Sequence, residues 1–156
     1  MEKKYRMTDE TMKLVNTTLY RIEAIRDFGH VKAGDKGGWI ERESNLSHNS
    51  NCWVWGNARV YDNARVYNNA QVCDNAQVCG NARVYNDARV FRDALVGGNA
   101  LVCNNAEVFD HAHVYSNAIV YDNARVFDDA QVYDNARVGG FLRVYGNAKV
   151  YEPARA

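Results

Sequence analysis

From residue 54 the chain places a valine at every sixth position, at 54, 60, 66 and onward to 150, seventeen times without a slip. Four residues after each valine comes alanine, from Ala58 to Ala154, with Leu142 as the exception. The intervening positions are polar or aromatic, and the unit reads Val-Tyr-Asp-Asn-Ala-Arg, as in Val60 to Arg65 and Val120 to Arg125. A period of six does not fit the 3.6-residue repeat of an amphipathic helix, whereas valine between outward-facing neighbours is a strand pattern. One branched aliphatic and one small inward residue per unit predict an all-β parallel solenoid. Each hexad supplies a short strand and a corner, and three hexads close one triangular coil. The residue before the alanine is Asn eleven times and Asp three times, with His111, Phe141 and Pro153 as exceptions. Asn and Asp tolerate left-handed dihedrals and hydrogen-bond their own backbone, which places the turn on that residue.

Upstream, the pattern changes. Leu19 to Phe28 reads as a strand, and Gly29, Gly34, Gly37 and Gly38 mark turns. Residues 1–38 are expected to form a β-hairpin cap, because an uncovered terminal coil is an exposed sheet edge, and 39–156 to form the solenoid. The degenerate stretch from Trp39 to Trp53, with Leu46 and Cys52 in the phase of the small residue, is expected to be the first coil. At the other end Pro153 removes one donor from the open edge. Phe141-Leu142 breaks the Asn-Ala rule once and reads as an enlarged core residue.

The repeat resembles the hexapeptide-repeat (transferase-hexapeptide) family, whose unit is an aliphatic residue followed four positions later by a small one. The likeness implies a single-stranded left-handed parallel β-helix, and the handedness rests on the likeness alone. Ile25-Arg26-Asp27-Phe28-Gly29, Lys32-Ala33-Gly34, Gly37-Gly38-Trp39-Ile40, Glu43-Ser44-Asn45-Leu46-Ser47 and Asn51-Cys52-Trp53 are similar to the start of YdcK-like bacterial proteins, a branch also met in phage-derived sequence. The resemblance implies trimers or dimers about the long axis, and, through the phage-like relatives, a host- or defence-inhibitor role. Many hexapeptide-repeat proteins are acyltransferases, with a His base beside an acyl-carrier slot and a loop thrown out between coils.

Charge and chemistry narrow the classes. Lys plus Arg equals Asp plus Glu at 19 each, so no global field draws the chain onto nucleic acid or an anionic membrane. There is no apolar run of about 18 residues and no secretory leader, which makes the cytoplasm the expected compartment. Cys52 points inward, while Cys73, Cys79 and Cys103 fall on outward positions of three different sides, an arrangement of free thiols suited to a reducing environment. No zinc spacing, phosphate loop or nucleophile motif is present, so neither metal nor cofactor is expected. An acyltransferase would have to use His111 or His113 as its base. Against that reading, no loop interrupts the seventeen units, and the residue after each valine is mostly Tyr or Phe, which crowds a cofactor slot.

The sides of the prism differ. Residues three hexads apart stack, so side A carries Trp55, Cys73, Phe91, Phe109, Phe127 and Tyr145 after its valines. Side B carries Tyr61, Cys79, Gly97, Tyr115, Tyr133 and Tyr151, and side C carries Tyr67, Tyr85, Cys103, Tyr121 and Gly139. Every outward Phe in strand phase is on side A. A ladder of rings that only stabilises the coils explains this as well as a contact face does. As a contact face, side A offers Arg89, Arg125 and Arg143, with Gln71 and Glu107, as polar and cation–π partners. Leu95, Leu101 and Ile119 replace the usual Arg or Gln and, with Cys103 and Tyr121, form a second apolar patch. The residues therefore favour a non-enzymatic scaffold that self-associates or binds a protein. A diverged acyltransferase and a receptor for a small charged ligand are the alternatives.

Overall fold

The computed structural model describes residues 2–152. Each hexad contributes a two-residue strand, the valine and its predecessor, from Arg59–Val60 through Arg143–Val144, with a longer one at Gln131–Asp134. Valines three hexads apart pair in parallel register, Val54 with Val72, Val72 with Val90 and Val90 with Val108. The strands gather into three sheets, six-stranded on side A, five-stranded on side C and nine-stranded on side B. The prism is a β-solenoid with its core on the axis: every repeat Val and Ala from Val54 to Val138 is at most 2% exposed. Backbone bonds run between coils, as in Arg59 N to Ala76 O (2.9 Å) and Tyr61 N to Val78 O (3.0 Å).

The turn lies one residue earlier than the Asn/Asp count places it. From Gly56 to Gly146, the second residue after each valine has φ between +54° and +64°. This position holds Asp, Asn or Gly in nearly every unit, and Ser116 and Arg92 in the other two. At most of the Asp and Asn turns the side chain takes an N–H from the matching turn of the next coil: Gly80 N to Asp62 Oδ2 (3.1 Å), Arg92 N to Asp74 Oδ2 (3.0 Å), Gly146 N to Asp128 Oδ2 (3.0 Å). The Asn before the alanine has another task. Asn81, Asn99, Asn117 and Asn135 stack as an amide ladder, each Nδ2 donating to the next Oδ1 at 3.2 to 3.4 Å. Both positions favour Asx residues, but for different reasons.

The first coil also departs from expectation. Ile40 pairs with Val60 and Leu46 bridges to Val66, a step longer than three hexads in both cases, so Leu46 stands in the valine position and not the small one. Two extra residues are accommodated between Leu46 and Val54, beyond which the step returns to three hexads. Cys52 does occupy the small position and is fully buried.

Strands β1 (Tyr5–Leu14) and β2 (Thr17–Ala24) form an antiparallel hairpin, and β2 pairs with β3 (Lys36–Ile40), which runs parallel to Arg59–Val60. The hairpin thus extends the sheet of side B, while Tyr5, Ile22, Ala24, Phe28 and Val31 turn inward and join the core. Gly29 and Gly34 are turn residues with positive φ, but Gly37 and Gly38 lie inside β3. A Cβ on Gly38 would stand 2.6 Å from Ala58 O, so glycine is there for close approach, not for turning.

The N-terminal strand also pins the enlarged coil. The Lys4 ammonium is buried and donates to Cys52 O (2.8 Å) and Ser50 O (3.0 Å), 4.5 Å from the centre of the Phe28 ring. Tyr5 donates to Leu46 O (2.7 Å) and stacks on His48 with ring centres 4.1 Å apart. His48 Nδ1 accepts the Lys4 N–H at 3.2 Å. Burial holds the His48 imidazole below its ordinary pKa; the Glu43 carboxylate, 3.8 Å from Nε2, pulls the other way but does not win.

At the far end, Phe141 and Leu142 are 83% and 58% exposed, so they do not enlarge the core. No described coil stacks beneath them. Pro153 lies outside the described residues.

Two outcomes follow from this packing. Val102→Asp puts an unpaired carboxylate at mid-stack and is expected to cost at least about 3 kcal/mol and to separate the melt into two transitions. A thermal melt followed by circular dichroism that matches wild type refutes the single stacked core. For His48, the folded state favours the neutral ring, so its contribution is complete above about pH 6.5 and is lost as the pH falls from there through the lowered folded pKa. The melting temperature should therefore drop between about pH 7.5 and pH 5, and His48→Gln should flatten that dependence, read by thermal scans across pH.

Candidate functional site

The valine strand sets two outward columns on each side, one before and one after the valine. On side A the column after the valine stacks its rings face to face. Phe91 and Phe109 are 4.8 Å apart at 4° between planes, Phe109 and Phe127 5.0 Å at 5°, and Phe127 and Tyr145 5.6 Å at 17°. Side B stacks Tyr115, Tyr133 and Tyr151 at 5.2 and 5.3 Å, and side C stacks Tyr67 on Tyr85 at 4.9 Å. All three sides therefore use rings to support the coils, and only side A does so with phenylalanine. Phe91, Phe109 and Phe127 are half-buried, and Tyr145 is exposed. Trp55, at the top of the column, is half-buried and donates from Nε1 to Gln71 Oε1 at 2.5 Å.

The column before the valine places Gln71, Arg89, Glu107, Arg125 and Arg143 in register. Arg125 Nε lies 3.5 Å from Glu107 Oε1. Among the described residues none of Arg89, Arg125 and Arg143 lies over a ring, which corrects the expected cation–π role. They leave the strand two residues away from the rings and point outward beside them. The cation over side A is Arg92, whose guanidinium stands 5.7 Å from the Phe91 centre and 5.6 Å from that of Phe109. Arg92 is the turn residue, so its side chain springs from the corner back across the column. It pairs with Asp110 at 2.5 Å and holds that carboxyl below the usual range. The available signal was an Arg in a turn position otherwise given to Asp, Asn, Gly and Ser.

The second patch is divided. Leu101 and Ile119 are neighbours on side C, whereas Leu95 pairs with Gln77 and His113 on side B. Cys103 is only 7% exposed despite its outward position, and its interaction with the Tyr85 hydroxyl, together with burial, raises the Tyr85 pKa to about 12. Tyr121 lies over Gly139 on the following coil, away from Cys103.

The two candidate bases are likewise apart in role. His111 is an exposed corner residue with Nδ1 3.7 Å from Asp93 Oδ2, and His113 stands half-buried on a strand of side B. The four cysteines are free thiols. Burial pushes Cys73 up to about 11, which keeps it a neutral thiol and a poor nucleophile. No group of three or more His, Cys, Asp or Glu suited to a metal ion occurs among the described residues, and no described helix is long and apolar enough to cross a membrane.

One further feature was not legible in the repeat. Where the cap loop Gly29–Val31 meets the upper end of side A, a cavity of about 550 Å³ opens over Trp55, Cys73 and Phe91.

Stacked hexads around a valine and alanine core, closed by an antiparallel hairpin, define a hexapeptide-repeat β-solenoid. The chain resembles YdcK-like proteins in its repeat: residues 58–74, 76–92, 82–98 and 130–140 match the YdcK beta-solenoid repeat. It is also 39% identical over 61 residues to a protein of Escherichia coli (strain K12) named "Uncharacterized acetyltransferase YdcK", an alignment that covers 34% of this chain. The chain spans about a fifth of that relative's length, 19%. The repeat match lies in the hexads, and the N-terminal segments that suggested the same likeness lie outside it.

Proposed function

We propose that this protein is a β-solenoid interaction module that uses side A to bind a protein partner, in the simplest case a second copy of itself. The observation that carries the reading is the unbroken Phe91, Phe109 and Phe127 stack. Tyrosine on sides B and C gives the same coil-to-coil stacking while keeping a hydroxyl for water, so a ladder alone does not call for phenylalanine on one side. Arg89, Arg125 and Arg143 flank the stack and Arg92 crosses it, giving an aromatic strip with a polar, arginine-rich rim. A cytoplasmic setting accords with the free thiols, and an inhibitor role against a host or defence protein is one form such binding would take. The test is Phe109→Glu, which places a charge at the centre of the strip and leaves the buried valines alone. The variant should lose self-association by light scattering, or partner capture in a pull-down, with its melting temperature little changed. If mass and capture both stay as in wild type, side A is a stabilising ladder only.

A second reading, acyl transfer, is favoured by the name of the Escherichia coli relative. Its base would be His111, next to Asp93, or His113. On this reading the wild type turns over acetyl-CoA and His113→Ala or His111→Ala abolishes turnover. Absence of acetyl-CoA binding by the wild type in calorimetry removes this reading.

A further inference from the structure

The aromatic column of side A is interrupted once near its upper end. Trp55 and Phe91 stand two coils apart, with Cys73 on the coil between them. Rungs lower in the column are 4.8 to 5.6 Å apart. Two coil steps therefore set the flanking side chains roughly 10 Å apart, and Cys73 leaves out the one ring that would sit midway. A planar group inserted there would meet each flanking ring at the spacing the ladder itself uses.

Similar interruptions elsewhere are narrowed by neighbouring tyrosines. On side C, Tyr121 covers Gly139 so closely that a Cβ there would run into its ring, and Tyr85 screens Cys103. On side B, Tyr61 donates to Gln77 Oε1 on the next coil (3.0 Å), with Gly97 alongside the Cys79 sulfur. On side A both neighbours are restrained. The Trp55 indole is held by Gln71, whose Nε2 donates to Asn51 O (2.9 Å) and Asn69 O (3.0 Å). Phe91 lies flat on Phe109 with Arg92 at its edge. Among the described residues no ring stacks on Trp55 from below, and the 550 Å³ cavity occupies this place. That size is within the usual range of small-molecule sites.

The rim gives the chemistry. The cavity is lined by Asp74 on one flank and by Asp87 and Arg89 on the other, and Asp87 and Arg89 form no ion pair among the described residues. Carboxylates accept N–H donors and the guanidinium donates to a ring nitrogen or carbonyl. Apolar faces above and below, with acceptors and a donor at the edges, suit a flat nitrogen heterocycle and do not suit an aliphatic or acyl chain.

We propose that the missing rung at Cys73 is a binding site for a planar nitrogen heterocycle with the chemistry of a purine base, stacked between Trp55 and Phe91 with its edges toward Asp74, Asp87 and Arg89. The site shares Phe91 and Arg89 with the partner-binding strip, but the two readings are tested separately, since Phe109→Glu leaves Trp55, Cys73 and Phe91 in place.

Trp55 supplies its own probe. Trp39 and Trp53 are 5% and 0% exposed, so a ligand that changes the fluorescence by stacking acts on Trp55. Adenosine and guanosine should each quench it saturably in the wild type. Cys73→Ala should bind as wild type. Cys73→Phe, which completes the ladder, should weaken binding at least about tenfold while the melting temperature holds or rises. The proposal is overturned if neither nucleoside quenches saturably up to millimolar concentration, if Cys73→Phe binds as wild type, or if phenol quenches as well as the nucleosides. Because a base can also arrive on a polymer, a single-stranded oligoadenylate forms the second arm. Affinity per base equal to that of adenosine supports a small-molecule site, and tenfold tighter binding per base overturns it in favour of nucleic acid.

Discussion

The structure depends on one hydrogen-bond relation, repeated along the axis: each strand and turn donates an N–H to the carbonyl of the coil below. Asn63 N reaches Gly80 O and Tyr67 N reaches Val84 O because each coil superposes on the next. A chain that must satisfy its backbone this way cannot tolerate a drifting register, since a slip of one residue would turn valines outward and bring arginine, asparagine or tyrosine side chains inward. The strict six-residue spacing follows from that constraint. So does the choice of valine and alanine, which fill the wide and narrow parts of the triangular section with no polar atom to satisfy.

Tolerance to a changed length is confined to the coil beneath the hairpin. The two extra residues between Leu46 and Val54 are accommodated where Lys4 can meet the freed carbonyls of Asn49, Ser50 and Cys52. Burying an ammonium is costly, and three carbonyls with an aromatic face are the compensation available at this position. The irregular coil and the hairpin thus form one unit: without β1, the insertion would leave buried acceptors unpaired.

The architecture was legible in the sequence because it is periodic, and the errors fall where position in the stack, not the repeat, decides. The turn was placed one residue late because Asp and Asn fill two neighbouring positions. The glycines at 56, 80, 98, 140 and 146 mark the one with positive φ, whereas Gly97 and Gly139 fall in the column after the valine and do not have it. Leu46 was misphased because a six-residue count cannot show an insertion. Gly37 and Gly38 looked like turn residues, and only the approach of the Val54 and Ala58 carbonyls explains them. Leu142 occupies a core phase, but among the described residues no coil stacks beneath it. At the site, the segregation of Phe from Tyr could be read directly. The reach of Arg92 and the cavity beneath Gly29–Val31 could not, because both join parts of the chain that no period relates.

The amide ladder at Asn81, Asn99, Asn117 and Asn135 and the carboxylates that accept turn N–H groups both lie at the corners. Of the outward side chains beside the valines, Gln71 bonds the backbone, at Asn51 O and Asn69 O, and the others mostly face neighbouring side chains or water. They form a grid with a fixed vertical pitch in which vertical neighbours are separated in sequence by a whole coil. Recognition on such a surface can be rewritten one cell at a time by point substitution, and lengthened by duplicating a whole coil, with no change to the interior that holds it.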